Sequence, residues 1–96
     1  LIYKMTKEEK IYHAVYEAME NSYKVIVEKQ DPYEMLHEEE ETLTFAHHID
    51  EPITPQSLDQ MIKWWETEEE YEMCGELLRI QNGIKRLSKR NSKQGV

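Results

Sequence analysis

At 96 residues and 11.6 kDa the chain is long enough for one modest core and no more. Only 3 Gly and 3 Pro argue against a loop-rich or all-β protein, the single Cys74 excludes an internal disulfide framework, and no apolar run approaches the roughly 18 residues of a membrane span. A net charge of −8 hides a strong asymmetry, because all 20 acids fall before residue 79, whereas Arg79, Lys85, Arg86, Lys89, Arg90 and Lys93 have no acid among them.

Residues 1–5 are expected to fray. Thr6-Lys7-Glu8-Glu9 then reads as a capping box, in which the Thr hydroxyl accepts from the third helical amide and the Glu reaches back. Ile11, Val15, Ala18, Met19, Ser22 and Ile26 recur at steps of three and four, which predicts one buried helical stripe. The helix is expected to reach about Gln30. The β-branched run at Tyr23–Val27 leaves a short strand open as the alternative, though no partner strand is evident nearby.

Asp31-Pro32 pairs a good N-cap with a residue suited to the first helical turn, so a short helix is expected over 32–41. The four like charges Glu38–Glu41 should end it by mutual repulsion. Thr42–His48 reads as extended or irregular, with Phe45 plugging the core.

Thr54-Pro55 repeats the cap-then-proline signal. Leu58, Met61, Ile62 and Trp65 follow at i, i+3, i+4 and i+7, a core-facing spacing. Thr67-Glu68-Glu69-Glu70 reads as a second capping box that ends this helix after about Glu66 and starts the next. That last helix carries Tyr71, Cys74, Leu77, Leu78, Gln81, Ile84 and Leu87 on one face. Asn82-Gly83 either breaks it or is absorbed at a cost of about 1 kcal/mol, with the helix then running to about Arg90 and 91–96 frayed. Residues 55–90 thus form a helical hairpin with almost no loop, whose helices must lie antiparallel. Cys74-Gly75 would supply small side chains where they cross.

Tyr71-Glu72-Met73-Cys74-Gly75-Glu76-Leu77 resembles the aromatic-Glu-x-small-small-x-Leu core of the UVR motif, the short helical hairpin of the UvrB and UvrC repair proteins. Leu58 and Ile62 stand where that motif's first helix has apolar residues. The resemblance covers residues 55–81 and departs from the motif at Leu78-Arg79, where an Arg-Asp pair is usual. It implies a protein-docking element rather than a catalytic one. The stretch from Trp64 to Ile80 is also similar in style to hairpins in small proteins of T-even-like phages, a likeness that carries no motif.

No constellation for catalysis emerges. Glu34-x-x-His37 has a spacing used in di-iron bundles but lacks the second copy such sites need. With His47 and Asp50 it makes at best a weak metal-ligand set, and the plainer reading is a solvated acidic turn. Glu17-x-x-Glu20 and Glu28-x-x-Asp31 imitate paired magnesium ligands, yet both fall on one helix and could not converge. No phosphate-cradling glycine loop is present. Lone Cys74 on an apolar face reads as a core residue.

What remains is surface. Adjacent helical residues point about 100° apart, so if Trp65 joins the core then Trp64 must lie at the rim, where an indole is a candidate contact anchor. Tyr71, Tyr12 and Tyr16 add amphipathic area of the same kind. Lys85, Arg86, Lys89 and Arg90 form a basic patch that either complements the helix dipole, meets an acidic partner such as a second copy, or touches nucleic acid locally. The expectation is a single all-α domain over 1–96, a small bundle with a long first helix packed on the C-terminal hairpin and one short helix between. Its expected role is a non-enzymatic protein-interaction or regulatory module, self-associating, without cofactor. The alternatives are an acidic DNA-mimicking inhibitor of a nucleic-acid-binding protein, or a divalent-metal-binding helical protein. No basic-then-apolar leader opens the sequence, which reads as cytoplasmic.

Overall fold

Thr6 opens the first helix as its residue pattern requires. In the computed structural model, which describes residues 4–38 and 43–94 (backbone only from 90), α1 spans Lys7–Ile26. The Thr6 hydroxyl accepts from the Glu9 amide at 3.1 Å, and the Thr6 amide donates to the Glu9 carboxylate at 3.4 Å. The β-branched run stays helical through Ile26, with Val27 as C-cap. The helix stops short of the expected Gln30 because Lys29 turns left-handed at φ 60° and the Gln30 amide folds back to the Lys24 carbonyl.

Asp31 caps α2, Pro32–Glu38, by accepting from the Tyr33 amide at 2.9 Å. The run 39–41 expected to end this helix lies outside the described residues. Residues 43–49 then form neither helix nor strand. They are held to α1 by polar groups: Asn21 Nδ2 donates to the Thr44 carbonyl at 3.0 Å, and the Ala46 amide donates to Ser22 Oγ at 2.7 Å. Phe45 is half-buried, with its ring edge-on to His47.

The expected stripe on α1 is therefore only partly covered. Ile26 and Ser22 are buried, whereas Ile11 is 56% exposed, a correction to its place in the core. The hydrogen bonds to 43–49 come from Asn21 and Ser22, in the second half of α1, and burial follows them along the helix.

α3 spans Pro55–Thr67 and α4 spans Tyr71–Gln94. Thr54 caps α3 by accepting from the Ser57 amide at 3.2 Å. Leu58, Met61 and Trp65 from α3 and Leu77 from α4 are fully buried, and Ile62 is half-buried. The helices pack as an antiparallel hairpin in the expected manner. Two hydrogen bonds set the register: Cys74 Sγ donates to the Ile62 carbonyl at 3.5 Å, and Gln81 Nε2 donates to the Pro55 carbonyl at 2.8 Å.

The connection is built differently from the expected capping box. Thr67 is the last residue of α3, and its hydroxyl donates back to the Trp64 carbonyl at 2.6 Å instead of capping α4. The turn is a Schellman motif, in which the Glu70 amide donates to the Trp65 carbonyl and the Glu69 amide to the Glu66 carbonyl, with Glu69 left-handed at φ 60°. The Glu70 carbonyl accepts the first α4 amide bond, from Cys74.

Gly83 is absorbed into α4, which continues past the expected end near Arg90. The chain is all-α among its described residues and divides into two compact units, Leu1–Ile49 and Asp50–Val96.

Candidate functional site

The length mismatch of the hairpin creates its most distinctive surface. α3 has 13 residues, about 20 Å, and α4 has 24, about 36 Å. Since Gln81 already lies beside Pro55, the first residue of α3, the rest of α4 borders only the start of α3 and then runs past it. Lys85, Arg86 and Lys89 sit on this overhang and are exposed. With Pro55, Gln56, Asn82 and Ser88 they line an open hollow of about 630 Å³ that contains no carboxylate. The ion pairs among the described residues are Lys24–Glu20, Lys63–Asp59 and Arg79–Glu76, so none neutralises these three cations. The side chain of Arg90 lies outside the described residues.

On α4 the expected apolar face splits. Leu77 and Gln81 are buried, and Cys74 and Ile84 half-buried, whereas Tyr71 is 65% exposed, Leu78 46% exposed, and Leu87 exposed on the overhang. Helical geometry explains the correction. Tyr71 and Leu78 lie two turns apart on the outer edge of the packed face, each about one turn from Cys74, and α3 leaves that edge uncovered. Gly75 belongs to that outer side as well. A Cβ built on it meets nothing within 4 Å, so it does not mark the crossing of α3 and α4; Cys74 does, through Ile62.

Trp65 is fully buried and Trp64 half-buried, the two rings meeting edge-on at 4.8 Å. The division of one indole inside and its neighbour at the rim follows the expected 100° step. In the first unit Tyr12 is 44% exposed and Tyr16 half-buried, with ring centroids 6.1 Å apart.

Among the described residues no three His, Cys, Asp or Glu gather as a metal site. Glu34 and His37 line a shallow hollow on α2 with Tyr33 and Glu38, while Asp50 falls in the second unit. His47 has a different engagement, with its Nδ1 lying 2.7 Å from Ser22 Oγ. Because Ser22 Oγ already accepts from the Ala46 amide, its proton is free to go to a neutral imidazole. Burial, and secondarily the neighbouring His48, hold the His47 pKa below the ordinary histidine value. Ser22 is 0% exposed, so this serine–histidine pair fastens the 43–49 segment and offers no reachable nucleophile. The signal for it was a serine within an apolar helical stripe, which needs a polar partner from elsewhere in the chain. Burial, then the charge of Glu66, raises the Cys74 pKa and keeps it a thiol, consistent with its place at the helix crossing.

No helix among the described residues is long and apolar enough to cross a membrane. Compared with known proteins, the chain matches no family model, no curated protein and no solved structure.

Proposed function

We propose that this chain is a non-enzymatic protein-interaction module that self-associates. The observation that carries the reading is the outer edge of α4, where Tyr71 and Leu78 stand exposed two turns apart beside the face packed on α3. Single exposed apolar residues are ordinary, but two on one line of a rigid helix offer a second helix a contact strip. Tyrosine suits such a strip because it brings a large ring with little conformational entropy to lose and a polar tip. Tyr12 and Tyr16 form a second, smaller aromatic surface on α1, and Trp64 contributes the rim of α3. The resemblance of residues 55–81 to the UVR hairpin, which implies docking, points the same way.

Size-exclusion chromatography with light scattering tests the reading. The expected result is a concentration-dependent mass that rises from 11.6 kDa toward about twice that value. Replacing Tyr71 and Leu78 together by Ala should return the protein to monomer with its helical circular dichroism intact. A mass that stays at the monomer value across the accessible concentrations would defeat the proposal.

A further inference from the structure

We infer that the partner of the outer α4 face is the same face of a second copy, lying antiparallel, with Leu78 of each copy seated over Gly75 of the other. This rests on the self-association reading above and adds its geometry.

The first ground is spacing. Tyr71, Gly75, Leu78, Asn82, Lys85 and Lys89 follow one another at alternating steps of four and three. That is heptad spacing, with Tyr71 and Leu78 as its apolar members; the half from Tyr71 to Leu78 is exposed, and Asn82, Lys85 and Lys89 border the hollow beside Pro55 and Gln56. The second ground is shape. Gly75 has open space where a Cβ would stand, which lets another backbone come close, and Leu78 beside it projects into solvent. A two-fold axis passing between residues 76 and 77 places each Leu78 on the opposite Gly75 and each Tyr71 opposite Asn82.

Charge decides the direction. The start of α4 and its connection carry Glu69, Glu70 and Glu72, all exposed, and the overhang carries Lys85, Arg86 and Lys89, also exposed; the hollow these three share holds no carboxylate, while Lys85 also borders a second hollow that includes Asp59. Parallel pairing sets acids on acids and bases on bases. Antiparallel pairing brings the overhang of each copy to the acidic connection of the other, and the basic end finds its counter-charge. With a net charge of −8 per copy, only such close complementary contacts survive physiological screening, whose range is about 8 Å.

Spin labels on exposed positions flanking the seam read this arrangement. In a Cys74→Ser background, Arg79→Cys and Ser88→Cys are each labelled singly in the full chain, with circular dichroism as the check on folding. Antiparallel pairing gives a short 79–79 distance, under about 20 Å, and an 88–88 distance of about 35 Å or more, from the 1.5 Å helical rise. Two short distances mean parallel pairing, and two long ones place the contact on another surface. Either result overturns this inference while leaving self-association standing. A monomer at every concentration removes both. Charge reversal gives the second readout on unlabelled protein. Lys85→Glu with Lys89→Glu should weaken association roughly tenfold or more, and mixing with a Glu69→Lys, Glu70→Lys copy should restore it. Weakening without restoration counts against the proposed pairing of ends.

Discussion

Glu69 occupies the left-handed region at φ 60° because the turn between α3 and α4 is too short to close in any other way. Its amide and that of Glu70 return to the last turn of α3, a geometry for which glycine is the usual residue. A side chain with a Cβ costs about 1 kcal/mol there. Glu69→Gly should therefore raise stability by roughly 0.5–1 kcal/mol despite the extra freedom glycine gives the unfolded chain, as read from the urea midpoint at unchanged slope. A loss of stability would mean that the carboxylate of Glu69 matters to the fold. Thr67 shows the same logic in reverse. Its sequence position suited a cap, but its hydroxyl found a nearer acceptor in the Trp64 carbonyl, and the capping role was lost.

α4 is the element on which most of the argument turns. It is held to α3 by Leu77, by the thiol of Cys74 and by the Gln81 amide, and beyond Gln81 it meets only the first turn of α3 across open hollows. Gly83 lies near the start of this stretch, where helix propensity counts for more than packing. A Cβ at that position meets nothing within 4 Å. Gly83→Ala is expected to stabilise the chain by about 1 kcal/mol, measured by chemical denaturation, and to slow amide exchange in the overhang. An unchanged midpoint would show that the overhang unfolds separately from the hairpin.

For the chain as a whole, pH should act through the segment fastened to α1. His47 has a folded pKa below the 6.5 of a free histidine, so the unfolded state binds the proton more readily. The contribution is fully present above about pH 6.5, falls as the pH drops below that value, and levels off below the folded pKa. Thermal unfolding followed from pH 7.5 to 5.5 should show a loss that His47→Gln largely removes, and the protection of the Ala46 amide relative to its intrinsic exchange rate should fall over the same range. A histidine variant with the same pH dependence as the parent would assign the effect to other groups. The polarised charge acts at the same scale, in setting which end of a second copy the basic overhang can meet.

The amino-acid order by itself determined the helix starts at Thr6, Asp31 and Thr54, the stripe Leu58–Met61–Trp65 and the antiparallel hairpin. These depend on neighbours within a few residues or on a connection too short to allow another path. Tertiary structure alone decided which apolar stripe would be covered and where polar groups far apart in the chain would meet. Ile11, Tyr71, Leu78 and Leu87 have the periodicity of core residues, but the 43–49 segment is fastened only to the second half of α1, and α3 shields only part of α4. Ser22 and His47 are 25 positions apart, and no local pattern relates them. Periodicity records which face of a helix is apolar, whereas burial depends on what the rest of the chain brings against it.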